Sequence, residues 1–475
     1  MTSLDPALRR LTLACLLPGF VGPEPPHWLL DALADGVGGL VLFGSNLGDG
    51  TQVRALTDRL RDAAGRQLVL ATDEEGGDVT RLDTVRGSAS PGAAALGYLD
   101  DPDVTEDVYA VLAKRLADAG ITMNLAPVAD VNLEPANPVI GVRSFSADPV
   151  VAARHVAAAV RGTQRGGVVA CVKHFPGHGA TSSDSHHEVA ILHRKRDELA
   201  VGEFVPFRAA IEAGTRAVMT GHLIAPALDP DNLATVSAAV TRVLRDELGF
   251  DGAIVTDALE MKALADSIGM AAGFVEALRA GADLIETGAQ DYPDLIEQIP
   301  VAVQDAVDSG RLATARLEEA AARARALAIR PDVGSISSDR LKNYSPRGLV
   351  EVIGELPVLE RPLVVECRTP NNMATGVLPW SVAERIAAAV PGTDVLLTEG
   401  GVPDVSATGR TVVGVIRDPI RYPWQRPLIE RADVVVDVGW PADLPPSKPA
   451  VRTRGIAPVL LDAAVSILTA VGVPR

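Results

Sequence analysis

Short apolar runs alternate with amphipathic stretches over the first two thirds of the chain. The runs expected as strands are Leu11–Leu17, Gly39–Phe43, Leu68–Thr72, Ile121–Leu125, Val168–Val172, Ala217–Met219, Ala253–Thr256 and Ala282–Glu286. Each is short and apolar on both faces, as a strand buried in a parallel sheet must be. Helical periodicity fills the gaps: Thr51–Ala64, Val104–Ala119 with Asp103 as cap, Pro149–Gln164 after Asp148, and Val236–Leu248 after Thr235. Several of these stretches close on glycine, at Gly65, Gly120, Gly214, Gly249 and Gly281, where a positive φ ends a helix. Eight strands in about 290 residues predict an α/β fold of the (β/α)8 TIM-like barrel type over residues 1–330.

Polar residues 331–346, with Pro331, Gly334 and several serines, read as a linker. Beyond it the strand-like runs Leu363–Glu366, Asp394–Leu397, Thr411–Ile416 and Val434–Val438 recur, with helical stretches Val382–Val390 and Leu461–Leu468. Residues 347–475 are therefore expected to form a second, smaller α/β domain.

Composition narrows the function. With 47% hydrophobic residues the 475-residue chain can bury a large core. A net charge of −17 disfavours nucleic acid or an anionic membrane as partner. Cys15, Cys171 and Cys367 are odd in number and far apart, which fits a reducing compartment and offers no thiolate metal site. No run reaches the length of a membrane span, and the Leu11–Cys15 stretch is too short for an export signal, so a cytoplasmic location is expected. No Gly-rich phosphate loop follows a strand, and no cofactor or metal is expected.

The candidate chemistry sits at strand ends, which a barrel gathers on one face. Asp73 follows the third strand, Lys173 and His174 the fifth, and Asp257 the seventh. Five of the eight histidines lie between His174 and His193, so imidazole chemistry concentrates on one Gly- and Ser-rich stretch, expected to be a mobile surface loop. There Asp184 and His186 stand two apart, so in an extended loop the carboxylate can orient the ring and favour the imidazolium, a usable acid near neutral pH. Asp257 is a candidate nucleophile, or else the cap of a helix beginning at Ala258. Asp73 precedes a Gly pair that permits close approach to a ligand, or is simply a turn residue. Arg81 and Arg143 are forks for sugar hydroxyls or carboxylates, or members of structural ion pairs, and Lys173 could be either.

The stretch Lys173-His174-Phe175-Pro176-Gly177-His178-Gly179, with Asp184-Ser185-His186 after it, resembles the signature loop of family 3 glycoside hydrolases, in their β-N-acetylglucosaminidase branch. Further motifs resemble that family in the same order: Asp73–Gly77 with Val79 and Arg81, Ala126–Val131, Ile140–Phe145, Val218–Thr220, and Leu248–Gly252 leading to Thr256-Asp257. The resemblance covers about residues 8–330 and implies a retaining exo-glycosidase acting on small glycans, peptidoglycan fragments or chitooligosaccharides. It implies Asp257 as nucleophile, Asp184 and His186 as the acid/base dyad, and Asp73, Arg81, Arg143, Lys173 and His174 as substrate-binding residues. It further implies that the second domain is the α/β sandwich of larger members. The sequence departs from the family at Asp78, often Arg, and around Ala258 and Glu260, where Gly or a second Asp is found. A β-N-acetylglucosaminide or β-glucoside phosphorylase, or a β-glucosidase, is the alternative on the same site. A metallohydrolase and a non-catalytic sugar-binding protein are the alternatives of other classes.

Overall fold

The computed structural model describes residues 4–48, 50–183, 189–331, 333–334, 336, 344–370, 374–405 and 409–470. The expected dyad Asp184–His186 and most of the expected linker lie outside the described residues.

Eight strands build the first sheet: β1 Leu16–Pro18, β2 Gly39–Val41, β3 Val69–Thr72, β4 Met123–Asn124, β5 Val169–Phe175, β6 Ala217–Thr220, β7 Ala253–Thr256 and β8 Ile285–Gly288. Strands β2 to β7 pair in chain order, all parallel. The sheet then curls closed. A parallel bridge joins Val255 to Leu284, β8 pairs with β1, and Gly38 N–H donates to the Leu13 carbonyl at 2.9 Å beside β2. The result is a barrel-like ring wrapped in helices.

Strand parity decides which residues meet inside the ring, because successive side chains point to opposite faces. Leu17, Val41, Ala71, Cys171, Met219 and Val255 form the interior cluster. Their neighbours Leu16, Leu40, Leu70, Val172, Val218 and Ile254 pack outward against the helices. The same inward parity reaches Lys173 and Glu286 within β5 and β8, and Asp73 and Asp257 just past β3 and β7.

Helix starts follow local capping. Asp148 accepts from Val150 and Val151 N–H ahead of helix Pro149–Arg165, a cap worth about 1 kcal/mol. Asp101, not Asp103, caps Pro102–Asp118. The first expected strand is a correction. Asp5 caps a helix, Pro6–Ala14, with Pro at its first position, and only Leu16–Pro18 extends as β1. The apolar run Leu11–Leu17 thus spans the end of one element and the start of the next.

The second domain is a mixed sheet of β9 Glu351–Ile353, β10 Leu363–Cys367, β11 Asp394–Thr398, β12 Val412–Ile416, β13 Val434–Asp437 and β14 Ala450–Arg452. Its order is β9-β14-β13-β12-β10-β11, parallel except for β9 against β14. Helices Val382–Ala389 and Pro458–Thr469 cover one face through Val364, Val413, Val436, Ile386 and Leu461. Trp424 packs with the residues of the other face, around Val365, Ile416 and Leu428. Among the described residues no helix is long and apolar enough to cross a membrane.

The two domains meet beside the barrel's strand ends. Asp78 forms a buried ion pair with Arg417, Nη2 to Oδ2 2.8 Å, and also accepts the Ile456 N–H at 2.8 Å. Arg421 Nη1 donates to the Pro138 carbonyl at 3.1 Å. The departure at Asp78 therefore belongs to the domain contact.

Candidate active site

A cavity of about 240 Å³ opens at the strand ends, and Asp73, Arg81, Arg143, Lys173, His174 and Asp257 all line it. Glu75, Glu260, Glu286 and Ala374 of the second domain complete its polar rim and mouth, while Phe43, Leu125 and Met219 give it an apolar side. All six described candidate residues thus converge, from β3, β5, β7 and the loop after β4.

Lys173 is the hub. Its Nζ lies 2.6 Å from Asp73 Oδ1 and 2.8 Å from Glu75 Oε1, with the side chain 3% exposed. Burial opposes its charge, but Asp73 and Glu75 raise its pKa above the ordinary lysine value. Burial likewise works against Asp73 and Glu75, yet Lys173 and Arg81 hold Asp73 low, and Arg143 and Lys173 hold Glu75 far below the carboxylate range.

Arg143 grips Glu75 with two parallel hydrogen bonds, Nε–Oε2 2.9 Å and Nη2–Oε1 2.8 Å, and donates to the Val139 carbonyl at 3.1 Å. Its guanidinium is therefore committed to an ion pair while still lining the cavity. Arg81 is looser. Its Nη2 is 3.7 Å from Asp73 Oδ2 and donates to the Ala374 carbonyl at 2.9 Å, so the second domain reaches the site. Glu74 does not pair with the Arg81 guanidinium. It accepts from the backbone N–H of Arg81 and Leu82 and from Thr80 Oγ1, which shapes the turn.

The Gly76–Gly77 pair is required by the chain itself. Both φ angles are positive, and a Cβ on Gly77 would come 2.4 Å from the Gly92 Cα. Packing against Gly92, not the approach of a ligand, is what demands glycine there.

The His-rich stretch begins buried. His174 Nδ1 lies 2.7 Å from Asp130 Oδ2, and the His178 N–H donates to Asp130 Oδ1 at 2.6 Å. Despite its burial, Asp130 is held below the carboxylate range by His174 and then His178. The contact places the proton on His174 Nδ1 and leaves Nε2 for a ligand. Asn137 donates to the carbonyls of His178 and Thr181, both at 2.9 Å, and a Cβ on Gly179 would sit 1.9 Å from the Val131 carbonyl oxygen. The expectation of a surface loop is corrected for His174–Thr181, which Asp130 and Asn137 pin inside. Beyond Ser183 the chain returns through Ala190–Ile191, paired with Leu223–Ile224. Both ends of the loop are thus anchored on the cavity face.

Asp257 is not a helix cap. The next helix starts at Lys262, and residues 258–261 form a turn bound to the neighbouring strand, with Leu259 and Glu260 N–H donating to the Glu286 and Thr287 carbonyls. His222 Nε2 lies 2.9 Å from the Ala258 carbonyl and steadies the same turn. Asp257 Oδ1 accepts the Ala258 N–H at 2.9 Å. Glu260 is occupied, accepting from Ala289 N–H at 2.7 Å and Tyr292 O–H at 2.9 Å. Sequence reasoning missed Glu286, although it ends an apolar strand with inward parity.

Comparison with known proteins agrees with this geometry. The profile of the glycosyl hydrolase family 3 N terminal domain matches residues 27–327. Beta-hexosaminidase A of Pseudoalteromonas piscicida is 32% identical over 376 residues, 71% of this chain, and the chain spans 63% of that relative's length. The beta-hexosaminidase of Stenotrophomonas maltophilia strain K279a is 36% identical over 61% of this chain and 87% of its own. A family 3 beta-N-acetylglucosaminidase from Paenibacillus sp. str. FPU-7 superposes with a TM-score of 0.85 at 33% identity, covering 98% of this chain and 96% of that one. The chain is a glycoside hydrolase of family 3, homologous to its β-N-acetylglucosaminidases and β-hexosaminidases.

Proposed function

We propose that the protein is a retaining exo-β-N-acetylglucosaminidase that removes terminal β-linked N-acetylglucosamine from small glycans. The observation that carries this reading is the convergence of an inward carboxyl, Asp257, with the Asp73, Lys173, Arg143 and His174 cluster in one cavity of about 240 Å³. Such a cavity suits a single sugar ring and not a continuous chain, which supports action at an end.

In this reading Asp73, Arg81, Arg143, Lys173 and His174 hold the sugar's hydroxyls and acetamido group, and so fix its anomeric carbon over Asp257. Asp257 attacks that carbon to form a covalent glycosyl-enzyme while the Asp184–His186 dyad gives a proton to the departing oxygen. The same imidazole then takes a proton from water, which displaces Asp257 with a second inversion and so net retention.

The test is initial rates on nitrophenyl β-N-acetylglucosaminide and β-glucoside, with and without phosphate, together with NMR of the first-formed anomer. The expected result is turnover of the former, independent of phosphate, with β-anomer released. Sugar 1-phosphate as product, or faster turnover of the glucoside, overturns the assignment in favour of a phosphorylase or a glucosidase.

A further inference from the structure

Glu75, Glu260 and Glu286 line the cavity without a part in the proposed mechanism, and Glu286 differs from the other two. It is the second residue of β8, beside Leu17 of β1, is 4% exposed, and lines the cavity with Asp257 and Asp73. Its backbone is fully engaged, with the N–H donating to Thr256 Oγ1 at 3.1 Å and the carbonyl accepting from Leu259. Its carboxyl receives no hydrogen bond from the described residues, whereas Glu75, Glu260 and Asp130 around the same site are each held by partners. A carboxyl with no protein partner, opening on a cavity, is free to bond to whatever ligand or water occupies it.

The groups facing it decide its form. Asp73 comes from β3, Cys171 and Lys173 from β5, and Asp257 and Glu260 from the turn after β7. Three of these are carboxyls, and the one cation, Lys173, already serves Asp73 and Glu75. Burial, then Asp73 and Asp257, push the Glu286 carboxyl well above the ordinary carboxylate range. A neutral acid differs from its ionised neighbours in having an O–H to give.

We infer that Glu286 is a substrate-positioning residue that binds as the neutral acid, donating its O–H to the acetamido carbonyl of the sugar held over Asp257. This rests on the glycosidase reading of Asp257. The 2-acetamido group is borne on the carbon adjacent to the anomeric one, and Glu286 lies on the strand adjacent to the one that Asp257 follows. The acetamido carbonyl accepts and cannot donate, so it needs an O–H or N–H where the surrounding carboxylates offer none. The 2-hydroxyl of a glucoside can donate to any of those carboxylates and gains nothing particular from a neutral acid. Glu286 would then help discriminate N-acetylglucosamine from glucose.

The experiment uses Glu286→Gln and Glu286→Leu in the full chain. Binding of N-acetylglucosamine and glucose is measured by calorimetry. In parallel, kcat/KM is measured against pH with 2,4-dinitrophenyl β-N-acetylglucosaminide and β-glucoside, whose leaving group needs no protonation. Glu286→Leu is expected to fold, since it removes a carboxyl from an acidic cluster, and to lower the preference for the acetamido sugar about tenfold, the worth of one hydrogen bond to a buried acceptor. The wild type is expected to show an alkaline fall in kcat/KM, and Glu286→Gln, which keeps a donor, is expected to retain most of the preference and to lose that fall. An unchanged preference in Glu286→Leu, in binding or in turnover, overturns the inference, as does equal loss in both variants. Turnover that survives Asp257→Ala would instead overturn the glycosidase reading, while the binding comparison still decides the role of Glu286.

Discussion

Replacing Arg417 by Met tests how the second domain is held to the barrel. Arg417 and Asp78 are 7% and 3% exposed at the side chain, so the pair lies out of water. Removing the cation leaves Asp78 with one neutral donor, the Ile456 N–H, and with the Asp418 carboxyl nearby. Loss of one partner of a buried pair costs about 3–5 kcal/mol. The lower end applies because Asp78 can take up a proton. Burial, only partly offset by Arg417, already raises its pKa in the fold above the ordinary value.

The sign of the pH dependence follows from that direction. A carboxyl whose folded pKa exceeds its unfolded one, about 3.9, destabilises the fold as pH rises through the folded value. Arg417→Met raises the folded value further, so its deficit relative to wild type grows from acid toward neutral pH. Unfolding entropy of about 2.1 cal/mol/K per residue over 475 residues makes about 3 kcal/mol equivalent to about 3 °C if the chain melts as one unit. A larger shift in a separate transition is expected if the second domain melts alone. Scanning calorimetry at pH 5 and pH 7 reads both effects. Adding Asp78→Leu should restore most of the loss, because the stranded carboxyl is gone. A Tm at pH 7 within about 1 °C of wild type, or a deficit that shrinks with rising pH, refutes the reasoning.

Other perturbations address the site itself. Asp257→Ala is expected to lower kcat on nitrophenyl β-N-acetylglucosaminide by about 10⁴-fold without lowering Tm, which steady-state rates and a melting curve check together. Lys173→Met leaves Asp73 with Arg81 at 3.7 Å as its remaining cation and removes one of the two cations on Glu75, so both Tm and sugar affinity should fall. Calorimetric binding of N-acetylglucosamine that matches wild type would contradict its place as the hub. His178 is held neutral by burial, its pKa pushed down to about 4 from about 6.5 when unfolded. Its contribution to stability is therefore full above about pH 6.5 and falls by up to about 3 kcal/mol as the pH drops toward 4. Denaturant titrations between those pH values should show a shallower slope in His178→Gln.

The parallel sheet was legible because its strands are buried on both sides and therefore read as unbroken apolar runs. The run Leu11–Leu17 misled for the same reason. Nothing in apolarity separates the buried side of a helix from the strand after it, and the signal that does is the Asp5-Pro6 start. Strands β9 and β14 have three residues each, too few to show a period. At the site, Asp73, Lys173 and Asp257 could be named because each follows a recognisable strand. Whether Asp257 capped a helix could not be read locally, since the answer lies in the bonds from Leu259 and Glu260 to β8. Asp78 was visible only as a departure, because its partner is 339 residues away. Glu286 carried a usable signal, an acid at inward parity on an apolar strand.

These particulars explain how an acidic site avoids repelling its own contents. Asp73 and Glu75 share Lys173, Glu75 also takes Nε and Nη2 of Arg143, and Glu260 is satisfied by neutral donors from Ala289 and Tyr292. Arg81 stands apart. It sits 3.7 Å from Asp73, beyond hydrogen-bonding distance, and among the described residues of the second domain it donates to a neutral carbonyl, that of Ala374. A guanidinium has five N–H donors, so Arg81 retains donors for a ligand where Arg143 has committed most of its own. Among the described residues, the second domain thus offers Arg81 a neutral acceptor. Its Ala374 carbonyl accepts from a cation the barrel supplies, and the Asp78–Arg417 pair, directly after the Gly76–Gly77 turn, is a second contact between the domains.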